Sequence, residues 1–134
     1  MSLLSFQDLL DASHRQPEPQ RLLMVFARVE LPEAATDAQR ERFEASEGGT
    51  ISPVTCVDKA PSEIASFQAL AEESAATGQD WDIVFVASLG GHAGVAPGTH
   101  EATQPLQFMV NAINNGRVSD FAAFDRAGEP LRFG

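Results

Sequence analysis

The sequence predicts an α/β domain: a single mixed sheet of about five strands, mostly parallel β-α units, closed by a C-terminal antiparallel hairpin, with helices packed on the sheet. Three observations lead there. Strand-length apolar runs at 21–29, 50–57 and 82–88 alternate with segments of helical spacing, the pattern of parallel crossovers around one sheet. The last two runs, 119–124 and 130–133, flank Asp125-Arg126-Ala127-Gly128, whose turn chemistry makes a hairpin. A length of 134 residues is the commonest size for one domain with one core.

Taken in order, Ser5 caps a first helix, with Asp8 in its first turn where a carboxylate suits the helix dipole. Phe6, Leu9, Leu10 and Ser13 share one face of it, and Pro17 and Pro19 end it. The run RLLMVFARV (21–29) is a buried strand bounded by Pro19 and Pro32. Thr36 and Gln39 form a capping box for a short charged helix to about Ser46, where only Phe43 is large and apolar. TISPVTCV (50–57) is β-branched; Pro53 lacks a ladder donor and places the strand at an edge or starts it at Val54. Pro61-Ser62 opens a helix that buries Ile64, Phe67, Leu70 and Ala71 and stops at Gly78. Trp81 is a packing anchor at the sheet's rim, before the most apolar strand (82–88). After the loop LGGHAGVAPG (89–98) a helix starts at Thr99 or Thr103. Pro105 is tolerated only in a first turn, which favours Thr103 as its cap, and Asn115-Gly116 stops it. The first and third strands are expected at the centre of the sheet.

Composition removes several functions. The formal net charge is −10, the only lysine is Lys59, and the arginines are scattered. Such a field repels phosphate backbones and anionic bilayers, so neither nucleic acid nor membrane is expected as a partner. The single cysteine excludes an internal disulfide and a disulfide scaffold. Asp8 and Asp11 interrupt what would be the apolar stretch of a signal peptide, and no apolar run reaches the ~20 residues of a membrane span. The expected location is cytoplasmic.

The candidate site residues lie at the carboxyl ends of the second and third strands, where open α/β sheets bind ligands. Ser88, Gly90, Gly91, His92 and Gly94 form a glycine-rich loop ahead of a helix N-terminus, a place that suits an anion. Its spacing is neither GxGxxG nor a Walker A motif, and it holds no Lys or Arg; the plain alternative is a long surface connection of small residues. Cys56 is either a thiol tuned by Lys59, opposed by Asp58 and paired with His92 or His100, or a small apolar residue on a strand. Asp58 and Lys59 at a strand-to-helix turn are either site residues or a solvated ion pair. His14, His92 and His100 are too dispersed for a recognised metal pattern, so no metal and no cofactor are expected.

The segments QPEPQRLLMVFARVELP (16–32), CVDKAP (56–61), DWDIVFVASL (80–89) and FDRAGEPL (124–131) resemble a group of small bacterial proteins labelled "ribonucleotide reductase subunit alpha". The likeness covers essentially the whole chain and implies a compact bacterial protein. A reductase large subunit needs a redox-active cysteine pair and a third cysteine in a barrel several times this length. With Cys56 alone, no catalytic residue carries over, and the label reads at most as the record of a partner.

Two functions remain open. The first is a non-enzymatic binding or regulatory module acting through protein contacts, since no catalytic constellation is present and short edge strands are available for pairing. The second is a small-molecule-binding protein or minor enzyme using loop 88–99, with Cys56 and Asp58 nearby. A homodimer paired through edge strands is compatible with either.

Overall fold

A computed structural model describes residues 5–30, 50–76, 78, 80–118 and 121–131. Helix α1 (Phe6–His14) leads into strand β1 (Gln20–Glu30). Strand β2 (Thr50–Lys59) is followed by a 3-10 turn (Pro61–Glu63) and helix α2 (Phe67–Ala75). Strand β3 (Ile83–Gly90), helix α3 (Thr99–Asn114) and the short strands β4 (Ala122–Phe124) and β5 (Pro130–Leu131) complete the order. The helix expected over 36–46 lies outside the described residues.

The strands form one five-stranded sheet in the order β2-β1-β3-β4-β5, and every neighbouring pair is antiparallel. This corrects the expectation of a mixed sheet of mostly parallel β-α units. Apolar periodicity gives an element's type, not the direction in which its neighbour lies. β2 and β3 run the same way, but β1 sits between them, so the helix joining them makes no parallel pair. After α3 the chain reverses in a Schellman motif. Gly116 has φ +75°, its N–H donates to Ile113 O (3.0 Å), and that of Arg117 donates to Ala112 O (2.9 Å). The chain then meets β3 from the opposite direction, with Ala122 beside Val86 and Phe124 beside Val84.

Alternation along β1 sorts the core into two layers. Leu22, Met24 and Phe26 point to one face, where they meet Phe6 and Leu10 of α1, Leu70 of α2, Trp81, Val84, Val86 and Phe124. Leu23, Val25 and Ala27 point to the other, where they meet Ile83, Phe85 and the α3 residues Ala102, Leu106, Met109 and Ile113. Among the described residues the sheet is thus sandwiched between α1 with α2 on one face and α3 on the other.

Local chemistry explains the boundaries. The Ser5 hydroxyl accepts from the Asp8 N–H (3.2 Å), as its type and position predict. α2 begins later than expected, because the Ile64 backbone is extended (φ −111°, ψ 104°) and Ser66 caps the helix by accepting from Ala69 N (3.1 Å). Pro53 sits on β2, at the edge of the sheet among the described residues. The register there skips one residue at Val54, a bulge that absorbs the missing donor.

Helix α3 starts at Thr99 rather than beyond Thr103, and Pro105 lies inside it. The Glu101 carboxylate accepts from Gly98 N (2.8 Å), half of a capping box, which makes Gly98 the N-cap in place of the expected Thr103.

Candidate functional site

The start of β1 and the end of β2 bring Arg21 and Asp58 to the N-terminus of α3. The Arg21 Nε and Nη2 atoms both lie 2.6 Å from Asp58 Oδ2. The Thr99 hydroxyl accepts from Arg21 Nη2 (2.9 Å) and donates to the same Asp58 Oδ2 (2.8 Å). Both charged side chains are only 14% exposed. Partial burial pushes the Asp58 carboxyl up, but the hydrogen bonds from Thr99 and Arg21 and the guanidinium charge outweigh it and hold the group below its ordinary value. The carboxylate is therefore ionised at neutral pH. It sits where the α3 dipole also favours a negative charge. Glu101, in the first turn of α3, is likewise held low by hydrogen bonds to its own backbone N–H and that of Gly98.

Segments 56–59 and 88–99 are joined by the hydrogen bond from Thr99 to Asp58. The charges and hydroxyl satisfy one another, and their geometric effect is to pin the first residue of α3 to the sheet. Arg21 was not singled out from the sequence. It stands first in an apolar run and finds its partners 37 and 78 residues away.

The glycine-rich loop is a closed hairpin. His92 and Val95 exchange backbone hydrogen bonds of 3.0 Å in both directions. Ala93 and Gly94 between them both have positive φ (52° and 81°), as a type I′ turn requires. Gly94 N donates to Glu18 Oε2 (2.8 Å) and Gly91 N to Pro19 O (2.8 Å), which fold the hairpin onto the approach to β1. A side chain at Gly91 would run into the carbonyl oxygens of Val95 and Pro19, so only glycine fits. Gly90 pairs with Gln20 across the β1–β3 ladder, and the Ser88 hydroxyl donates to Gln20 Oε1 (2.6 Å).

Cys56 is exposed and pairs with Val25 at the sheet edge. Lys59 pairs with Glu73 of α2 (2.9 Å), tying the end of β2 to that helix. His92 and His100 are exposed. Among the described residues no three His, Cys, Asp or Glu side chains are grouped to hold a metal ion. No helix of the described residues is long and apolar enough to cross a membrane. An open depression of about 410 Å³ lies between α2 and the hairpin turn, lined by Phe67, Glu72, Arg126 and their neighbours. None of Cys56, Asp58, Lys59, Ser88, Gly90, Gly91, His92 or Gly94 lines it.

Among the described residues, the outward face of α3 differs in character from the acidic remainder. From Ala102 to Gly116 the chain carries no charged residue, within a protein of net charge −10. One turn of α-helix takes 3.6 residues, so Glu101, Gln104, Phe108, Asn111 and Asn115 fall along one stripe. All five are exposed, and Phe108 is 59% so, among the largest apolar exposures of the described residues. Thr103, Gln107 and Asn114 flank the stripe and are also exposed. Gln107 Nε2 donates to Asn111 Oδ1 (3.2 Å), so the amides are already partly ordered along the helix. Sequence reading found the apolar positions of α3 and passed over its polar face. The signal was the missing charge.

Compared with family models, curated proteins and solved structures, the chain matches none.

Proposed function

We propose that the chain is a non-enzymatic binding module that works by protein contact, with the outward face of α3 as its contact surface. The observation that carries this is the uncharged, amide-rich stripe centred on exposed Phe108 in a strongly acidic protein. The centres of protein interfaces are depleted in charge and enriched in aromatic residues, whereas ordinary solvated helix faces are charged. The Arg21–Asp58–Thr99 cluster supports the reading by fixing the start of that helix. A rigid face loses little freedom on binding.

The acidic surface favours protein over nucleic acid or bilayer as the partner. A small-molecule site built on loop 88–99 draws no support from the geometry, since Asp58 Oδ2 takes hydrogen bonds from Arg21 and Thr99 and the loop is folded on itself.

The test is affinity capture with the wild-type chain and with Phe108→Glu. A stoichiometric protein should be retained by the first and lost by the second, while the circular dichroism of the two is the same. Identical capture by both, or none by either, counts against the reading.

A further inference from the structure

We infer that the partner of the α3 face is a second copy of this chain, packed antiparallel about a two-fold axis beside Phe108. The inference rests on the reading of this face as an interface and goes further by naming its occupant.

The first argument is charge. At net charge −10, two copies repel through most orientations. The α3 face is where they can approach without setting carboxylates against carboxylates. A basic partner would instead gain most by docking on the acidic surfaces and has no reason to select a neutral one. The second argument is self-complementarity. A two-fold contact sets a surface against itself. Close to the axis each group meets its own kind, where charges of one sign repel but Gln and Asn amides, which carry both donor and acceptor, can pair. The exposed stripe holds Gln104, Asn111 and Asn115, with Gln107 and Asn114 at its border.

The third argument is the ends. With the axis between Gln107 and Phe108, Gln104 of one copy faces Asn111 of the other and the two Phe108 rings come together. Glu101 turns its carboxylate toward Gly98 (2.8 Å), the level at which Arg117 of the other copy arrives. The one acidic side chain on the stripe thus approaches the first cation beyond the helix, and the antiparallel helix dipoles oppose each other favourably. A parallel arrangement would set Glu101 against Glu101.

A helix of 16 residues is roughly 24 Å long, so this contact falls at the small end of stable interfaces. The association is therefore reversible and concentration-dependent.

The experiment is sedimentation velocity on the purified full chain, from low micromolar to near-millimolar concentration and at low and high salt. The expected result is a shift from monomer to dimer with concentration, stronger at high salt because screening weakens the mutual repulsion. Phe108→Glu should stay monomeric throughout, at least tenfold weaker, and Arg117→Glu should weaken the dimer severalfold. Phe108 is exposed, so its variant keeps the wild-type circular dichroism. A dimer indifferent to Phe108→Glu, a dimer that dissociates as salt rises, or a monomer at every concentration overturns the inference. If the chain is monomeric and yet captures a protein in a Phe108-dependent way, the second copy is wrong and the interface stands. If capture is also independent of Phe108, both fall.

Discussion

The two sides of the sheet are built differently, inside and out. On the α1–α2 side the core is aromatic. Phe6 meets Phe67 and Phe124 at ring-centre distances of 5.1 and 5.5 Å, and Phe26 meets Trp81 at 5.0 Å in a T-shaped contact. The indole Nε1 donates to the Ser74 hydroxyl (2.7 Å), which donates to Ala71 O (2.8 Å), so the buried polar tip is satisfied. On the α3 side the core is largely aliphatic and rests on one helix. Outside, the contrast reverses. α2 shows Glu72 and Glu73 to water, whereas α3 shows amides and Phe108. One side hides its aromatics and exposes charge; the other buries aliphatics and exposes an aromatic. The large buried rings thus lie in the first layer, and the exposed aromatic of α3 lies outside the second.

Trp81→Ala should break this contrast most severely. It empties the centre of the aromatic layer, unpairs Phe26 and removes the stacking surface over which Arg126 lies at 5.8 Å. A loss of about 3–5 kcal/mol is expected, read as the midpoint of urea unfolding. Met109→Ala, on the opposite side, removes one flexible aliphatic chain and should cost about 2–4 kcal/mol in the same measurement. If it cost as much as Trp81→Ala, the layers would be equal partners in stability.

Asp58→Asn comes next, at about 1–3 kcal/mol, because it leaves the mostly buried Arg21 guanidinium with only the more distant Glu63 carboxylate (3.9 Å) as a counter-charge. The sign with pH follows from a folded value held below that of the free carboxyl. The contribution is fully present above about pH 4 and is lost as pH falls through the folded value. Wild type and variant should therefore differ most at neutral pH and converge in acid. A constant gap from neutral to strongly acid solution would contradict the ion-pair reading.

Two glycines give a finer comparison. Gly128 (φ +82°) lies under the Phe67 ring, with an added Cβ 3.0 Å from its Cδ2, whereas Gly94 (φ +81°) has nothing within 4 Å. Alanine at Gly94 should cost about 1 kcal/mol of backbone strain alone, and alanine at Gly128 more, since the ring must also move. Phe108→Ser should be the mildest change, within about 0.5 kcal/mol for the monomer at high dilution.

The elements were largely readable from residue patterns, and their directions were not. Ser5, the continuous apolar run of β1 and the stop at Gly116 are local signals, carried within a few residues. Whether β3 lies beside β1 or β2 depends on contacts across the whole chain, which periodicity does not encode. Pro105 misled in a similar way. Read alone it marks a first turn, but Glu101 and the Thr99 anchor start the helix earlier. In the candidate site Asp58 stood out by its position after a strand, while Arg21 and Thr99 acquired meaning only through it. The neutral stretch of α3 is visible in the sequence as an absence, which a search for reactive side chains does not register.

The Phe6 N–H donates to Gly128 O (2.8 Å), and the Phe6 ring meets Phe124 edge to face. During synthesis α1 leaves the ribosome early and the β4–β5 hairpin much later, so the seat of α1 is incomplete until nearly all the described chain has emerged. Until then Phe6, Leu10 and Phe67 lack the strand that closes over them, and the nascent chain exposes its stickiest surface. Tethering the chain so that residues 122–131 stay inside the exit tunnel should leave α1 open to protease, and their release should protect it.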